Sequence, residues 1–214
     1  MIIKDIIPIM VSILTSVIAI SFSGYQLHIY NKQFLFDKRL LIFRTYKNFL
    51  KHQNEAERYF KNKPSNTLFD HSFLIKDLTN DSEFYQMCNG WDDPSPLLEP
   101  CDKKNLLSMV EKIRTYGEES VFVFSKYGNT LCDYFNKYAD LLHKTYQYRI
   151  NMRHIESENK QNSAKGNPMS LKEAQERQEQ LHKDLIITYN DLCETSKLID
   201  LDKLIKSISF TKGK

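Results

Sequence analysis

The sequence predicts an all-α membrane protein in which an N-terminal transmembrane helix continues into an antiparallel helical bundle. Three observations predict this: a long uncharged apolar stretch near the N-terminus, apolar residues at helical spacing afterwards, and only six Gly and six Pro among 214 residues. Few Gly and Pro favour long helices over a sheet of short strands joined by turns. We therefore expect residues 1–31 to form a transmembrane anchor and residues 32–214 a cytoplasmic helical domain.

The apolar stretch from Ile6 to Leu27 predicts the anchor, because no formally charged residue occurs between Ile6 and Asn31. As a helix it would be about 33 Å long, enough for a hydrocarbon layer of about 30 Å. A cleaved signal peptide is the alternative, but its apolar core usually has about 7–15 residues followed by a small-residue cleavage site. The length favours a permanent anchor.

The charges that flank the anchor predict its orientation. On the N-terminal side, Lys4 is offset by Asp5. The C-terminal flank has one acidic residue, Asp37, and six basic residues, which are Lys32, Lys38, Arg39, Arg44, Lys47 and Lys51. The positive-inside rule then places the body on the cytoplasmic side of the inner membrane. The same cations suit anionic headgroups, so membrane lipid is a predicted partner.

Small and weakly polar side chains recur inside the anchor at three- and four-residue steps, and therefore share one helix face. They are Ser12, Thr15, Ser16, Ala19 and Ser23, the small-residue stripe. Such a stripe lets helices approach closely and bond through hydroxyl groups, which predicts a homo-oligomer, or a pore lining if enough copies form a ring. The alternative is an isolated anchor whose hydroxyl groups bond to its own backbone.

The first helix is predicted to continue beyond the membrane to near Lys61. No Gly or Pro follows the anchor before Pro64, and an apolar stripe at helical steps extends through this part of the chain. That stripe consists of Phe36, Leu40, Phe43, Tyr46 and Leu50. A helix of this kind would couple the body rigidly to the bilayer.

Four further helices are predicted along the body. Phe73–Met87 reads as the second, and three Pro residues make the segment Trp91–Pro100 a loop. Leu106–Phe124 is the third helix, and Gly128 separates it from the fourth. The polar run Glu156–Pro168 is predicted to be a flexible connection.

The fifth predicted helix is Leu171–Leu198, with a short amphipathic tail to Phe210. In the fourth helix an apolar register at alternating steps of four and three residues places Arg149 where an apolar residue is expected. The register is Leu131, Phe135, Tyr138, Leu142, Thr145, Arg149 and Met152.

Composition and motifs leave most enzyme classes without support. The net charge of +3 is too small for a dedicated nucleic-acid binder, so charge gives RNA contact no support. The sequence contains no Gly-rich phosphate loop, nucleophile elbow or HExxH motif. Its four cysteines form no CxxC pair and are predicted to be reduced. We predict neither a metal site nor a cofactor.

Two Arg-x4-His pairs are the candidate catalytic residues: Arg149 with His154, and, as the weaker alternative, Arg177 with His182. A His can transfer the proton of an RNA 2′-hydroxyl while an Arg stabilises the charge on the phosphorane, as in a metal-free ribonuclease. On an unbroken helix, however, the Arg and the His lie about 140° apart. They can converge only near a helix break, which is expected just before the polar run, or across a subunit contact. The alternative for both pairs is solvated or ion-paired charge.

Together, the anchor, the helical body and the Arg-x4-His pairs resemble the HEPN superfamily. Within it the chain looks most like the small membrane-anchored HEPN-like accessory proteins encoded beside the RNA-guided RNase of type VI-B CRISPR systems. The resemblance implies an HEPN-like bundle and a nuclease site built from two motif copies across a dimer. Nucleases of that superfamily usually have a polar residue after the Arg, which Gln178 matches and Ile150 does not. In a larger ring the composite site need not form.

The leading hypothesis is an oligomeric pore or membrane-perturbing effector in bacterial CRISPR antiphage defence, enhancing an RNA-guided RNase system. The first alternative is a membrane-tethered HEPN ribonuclease that uses Arg149 and His154. The second is a non-catalytic scaffold that brings a cytoplasmic partner to the membrane.

Overall fold

The computed structural model describes residues 2–61, 78, 100–162 and 169–208, with side chains described at 10–60, 78, 106–148, 150–151 and 176–208. Five helices make up these residues, and no strand occurs among them. The helices are α1 (Ile2–Lys61), α2 (Pro100–Val123), α3 (Gly128–Asn162), α4 (Met169–Lys197) and α5 (Leu201–Ile208). The predicted all-α class is confirmed. The predicted helix Phe73–Met87 lies outside the described residues, except for Leu78.

Helix α1 is one uninterrupted helix of 60 residues, as the sequence predicts, and is therefore about 90 Å long. Its two halves have different surroundings. From Met10 to Leu35 every side chain is exposed, whereas many of those from Phe36 to Phe60 are buried or half-buried against the rest of the chain. We call Met10–Leu35 the exposed segment of α1.

The second half of α1 packs on α3 through aromatic rings. Tyr46 meets Tyr134 edge-on with ring centroids 4.8 Å apart, and Phe49 stacks on Tyr138 at 4.3 Å. Since both residue numbers rise together, α3 runs in the same direction as α1. Such ring pairs contribute about 0.5–1.5 kcal/mol each beyond the area they bury. The aromatic cluster therefore contributes to the attachment of α1 to the bundle.

Helices α2 and α4 run in the opposite direction. A four-residue connection joins α2 to α3, and Arg114 of α2 pairs with Asp140 of α3 at 2.9 Å. On the other side, Phe60 stacks on Tyr189 of α4 with centroids 4.1 Å apart. Farther back along α1, the Gln53 amide donates to the hydroxyl of Ser196 at 3.2 Å. The result is an antiparallel arrangement around the second half of α1.

The predicted core register of α3 is confirmed where side chains are described. Buried there are Leu131, Phe135, Tyr138, Leu142 and Thr145. Polar contacts from α3 to α4 flank this core: Lys137 Nζ donates to Thr195 at 2.8 Å, and Lys144 Nζ donates to Thr188 at 2.7 Å. These pairs show that α3 and α4 remain side by side over several turns.

Two predictions about α3 require correction. Gly128 is the first residue of the helix instead of a break before it, and α3 continues to Asn162, through the first half of the run Glu156–Pro168 that was predicted to be flexible. Residues 156–162 are Glu, Ser, Asn, Lys and Gln, which include good helix formers and neither Gly nor Pro. A segment that is polar all round lacks a buried face, but this does not prevent helix formation.

We expect Gly128→Ala to destabilise the bundle, because a Cβ at this position would lie 2.8 Å from the carbonyl oxygen of Ser120 and from the Cα of Val121. Both are backbone atoms, so α2 and α3 would have to separate, at a cost of about 2 kcal/mol. Thermal unfolding in detergent, followed by circular dichroism, should show a midpoint lowered by about 4–8 °C.

Gly24→Ala is the matched control, since a Cβ there would meet no atom within 4 Å. It should leave the unfolding midpoint unchanged or slightly higher, because Ala is the better helix former. Equal midpoints for the two variants would contradict the close approach of α2 and α3.

Candidate functional site

The exposed segment of α1 is the first candidate site. Fourteen large apolar side chains between Met10 and Leu35 have exposed fractions from 39 to 73%. Among the described residues, α1 is the one helix long and apolar enough to cross a membrane, judged by length and composition. The core helix of a soluble protein can pass the same test, but none of the apolar window of α1 is buried within the chain.

The small-residue stripe lies on this exposed segment, and two of its hydroxyl groups bond within the helix. Thr15 Oγ1 lies 2.9 Å from the carbonyl oxygen of Ser12, and Ser16 Oγ donates to the same oxygen at 2.8 Å. Such bonds are expected for an isolated anchor. They do not exclude self-association, because small side chains still permit close approach of a second helix.

Lys38 and Arg39 attach the body to α1 just after the exposed segment. Lys38 Nζ lies 2.7 Å from Glu119 Oε1 of α2. The Arg39 guanidinium donates to the carbonyl oxygens of Val123 at 2.6 Å and of Ser207 at 3.3 Å. These carbonyls lie in the last turns of α2 and α5, where a cation favourably offsets the helix dipole.

The sequence predicted Lys38 and Arg39 to set the orientation of the anchor and to suit anionic headgroups, whereas in the structure both bond to the body. Their position within the apolar stripe, between Phe36 and Leu40, was the available signal, because charges beside a packed face need partners. The identity of those partners, the ends of two helices distant in sequence, could come only from the tertiary structure.

Arg149 and His154 lie on one continuous helix, since α3 extends unbroken to Asn162. The helix break that would have let the two side chains converge is absent, and their positions are about 140° apart around the helix axis. Tyr148, which is 2% exposed and contacts Gln178 of α4, lies about 100° from the position of Arg149 and about 120° from that of His154 around the helix axis. The side chains of Arg149 and His154 lie outside those that the structure describes.

Arg177 and His182 differ in their surroundings. Arg177 is exposed, whereas His182 is half-buried and turned toward Tyr148, with ring centroids 6.0 Å apart. Burial lowers the pKa of His182, and its Nδ1 is buried with no hydrogen-bond partner. A neutral, partly buried His separated from its Arg is typical of a packing residue.

The structure nevertheless brings the two motif segments together. Gln178 Nε2 of α4 donates to the hydroxyl of Tyr148 of α3 at 3.2 Å, so the helix turns that bear Arg149 and Arg177 are neighbours. Sequence reasoning treated the two pairs as alternatives and missed their proximity. The antiparallel pairing of α3 and α4 accounts for it.

Both pairs are remote from the exposed segment of α1. Phe60, near the end of α1, contacts Tyr189, and His182 lies a further seven residues, about 10 Å, away along α4. The end of α1 is itself about 50 Å beyond Leu27 at 1.5 Å per residue. Neither pair can line a passage through a bilayer that holds the exposed segment.

Other reactive groups of the described chain give no catalytic arrangement. Cys132 and Cys193 are free thiols, and no group of three or more potential metal ligands occurs among the residues described. The hydroxyl groups of Tyr46 and Tyr134 are buried without partners, and burial raises the pKa of Tyr46 to about 12. These tyrosines belong to the aromatic core.

Comparison with protein-family models, curated proteins and solved structures found no match to this chain.

We expect the purified full-length protein to leave single-stranded RNA intact, with or without Mg²⁺ chelated, because the positions of Arg149 and His154 are about 140° apart on one continuous helix. Arg149→Ala and His154→Ala should be indistinguishable from the unmodified protein in a gel assay of labelled RNA. Cleavage that is lost in both variants would instead show that a second copy completes the site.

The lowered pKa of His182 predicts a pH-dependent stability. The unfolded chain takes up this proton near the ordinary pKa of 6.5, whereas the folded chain resists it. The contribution of His182 to the free energy of unfolding is therefore fully present above pH 6.5 and declines as the pH falls below that value. Denaturant titrations from pH 8 to pH 5 should show a smaller decline for His182→Gln.

Lys183→Gln is the control for this measurement, because Lys183 is the exposed neighbour on the same helix. It should retain the pH dependence of the unmodified protein. Identical curves for His182→Gln and the unmodified protein would contradict the proposed burial of His182.

Proposed function

We propose that this chain is a single-pass protein of the inner membrane that self-associates through α1 and alters membrane permeability. The observation that supports the proposal is the exposed segment, which continues without a break into the packed core of the body. Soluble monomers rarely expose contiguous apolar patches beyond a few hundred Å². Lipid is the environment that removes such a surface from water.

The charges of α1 support a cytoplasmic body. Lys38 and Arg39 bond to the body, and Lys32, Arg44 and Lys47 are exposed. Basic residues that follow a transmembrane helix favour a cytoplasmic location for the part of the chain that bears them. A signal peptide is disfavoured because the segment that would be removed is the first half of a helix whose second half forms the core.

Self-association is supported by the small-residue stripe, since helices in lipid associate through close packing of small residues. A ring of copies would place the stripe between neighbouring anchors or toward a wet passage. Because Lys38 and Arg39 fix the body to α1, a rearrangement of the body would be transmitted to the anchor. This rigid link supports an effector in preference to a passive tether.

The biological setting we propose follows the resemblance to HEPN-like accessory proteins: CRISPR antiphage defence, in which the pore would enhance an RNA-guided RNase. A membrane-tethered ribonuclease would need a second copy of the chain to bring an Arg and a His together, because α3 continues without a break through Arg149 and His154. A non-catalytic scaffold would share the anchor, and permeability measurements distinguish it from a pore.

The test compares two matched serine variants of the exposed segment. Ser16 lies on the small-residue stripe and Ser21 on the opposite face, and both hydroxyl groups donate to the carbonyl four residues earlier at 2.8 Å. Ser16→Leu should weaken association by about tenfold, because the bulkier side chain separates the helices. Ser21→Leu should have no such effect.

Two measurements are needed for each variant: the mass of the detergent-solubilised particle, and membrane potential in cells in which the RNA-guided RNase has been triggered. We expect the unmodified protein and Ser21→Leu to be oligomeric and to depolarise the membrane. Ser16→Leu should be monomeric and should leave the membrane potential unchanged. A monomeric unmodified protein with unchanged polarisation would overturn the proposal, and an oligomer without depolarisation would favour the scaffold.

A further inference from the structure

The corner between α2 and α3 is held near the end of the exposed segment of α1. Arg39 reaches the last carbonyl of α2, and Lys38 pairs with Glu119 one turn earlier. The same Arg39 also bonds the end of α5, at Ser207. We call residues Val121 to Gly128 the α2–α3 corner, which adjoins the exposed segment.

The corner is internally rigid. Phe124 and Tyr127 are buried, at 3 and 8% exposure, and Ser120 Oγ donates across the turn to the carbonyl of Gly128 at 2.8 Å. Backbone bonds continue through the turn, from Gly128 N to the carbonyl of Phe124 and from Leu131 N to that of Tyr127. The outward orientation of its remaining side chains is therefore fixed.

The outward side chains of the corner include two apolar residues and one basic residue. Phe122 is 85% exposed, the largest value among the exposed large apolar residues, and its neighbour Val121 is 41% exposed. Lys126 is exposed beside them, and the nearest exposed acidic residue in sequence, Glu118, lies one helical turn before Phe122, outside the corner. An exposed aromatic ring close to Lys is a combination favoured at the interface between hydrocarbon and lipid headgroups.

The length of the uncharged part of α1 indicates how the corner can reach that interface. From Ile6 to Tyr30 the helix has no charged residue and is about 37 Å long, which exceeds a hydrocarbon layer of about 30 Å. A helix that is too long for the layer adapts by tilting. Tilting lowers one side of the attached body toward the headgroups.

We propose that the α2–α3 corner docks on the anionic surface of the same bilayer that holds α1, with Phe122 inserted at the headgroup level and Lys126 against lipid phosphates. This inference rests on the proposed membrane anchoring, and it adds a second membrane contact that fixes the tilt of the body. Lipid is the favoured occupant because the corner adjoins the exposed segment and its charge complements anionic headgroups.

The experiment places a single Trp at chosen sites and measures quenching by lipids brominated near the headgroup. The chain contains one Trp, so Trp91→Phe provides the background. Three reporters are compared in full-length protein: Phe122→Trp at the corner, Tyr25→Trp in the exposed segment, and Leu107→Trp. Leu107 is 45% exposed on the same helix as Phe122, but lies about 22 Å farther along α2.

Vesicles contain phosphatidylglycerol and phosphatidylcholine in a ratio of about 3:7, to supply anionic lipid. We expect blue-shifted emission and about a twofold loss of intensity for Phe122→Trp. Tyr25→Trp should also be quenched, and Leu107→Trp should not. Adding Lys126→Glu to the corner reporter should reduce the quenching, because the reversed charge repels the headgroups.

The possible failures are distinguishable. Quenching at Tyr25→Trp without quenching at Phe122→Trp would overturn the docking but leave the anchor intact. Absence of quenching at Tyr25→Trp would overturn the anchor and the docking together. A blue shift of Phe122→Trp that grows with protein concentration in detergent, without quenching in vesicles, would show that a second copy covers the corner and would also overturn the proposal.

Discussion

The bonds from Arg39 to the carbonyls of Val123 and Ser207 lie at the place where α1 changes surroundings, and the remaining architecture depends on them. Before this residue the helix exposes apolar side chains, and after it the helix forms part of a core. A single guanidinium closes the ends of two helices there, satisfying carbonyls that lack partners within their own helices. The salt bridge from Lys38 to Glu119 supports the same junction.

This junction explains how one rigid helix can belong to two environments. If α1 bent at the boundary, the orientation of the body relative to the bilayer would be variable. In the proposed membrane setting, an unbroken helix with a polar attachment just beyond the exposed segment would fix both the direction and the height of the body. The proposed docking of the α2–α3 corner would add a second contact with the bilayer besides α1. Two contacts determine the tilt of the body, whereas one contact does not.

The same geometry separates the two candidate sites. The exposed segment and its stripe are at one end of the molecule, and the Arg-x4-His segments are at the other, where α3 and α4 pair beyond the end of α1. The proposed effect on the membrane therefore does not depend on either pair. Tyr148 and Gln178 bring the two Arg-x4-His segments together where α3 and α4 pair.

The sequence alone determined the helical class, the apolar segment and the limits of α1 and α4 to within a few residues, because hydrophobic periodicity and the placement of Gly and Pro are local properties. It placed the start of α2 at Leu106, whereas the helix begins at Pro100. It could not determine where α3 ends, since a polar stretch without Gly or Pro is compatible with either a helix or a connection. Only the tertiary structure decided which carbonyls Arg39 meets, that His182 turns toward Tyr148 and away from Arg177, and that Phe122 remains exposed. Each depends on which helices pack together, and sequence spacing within one helix does not contain that information.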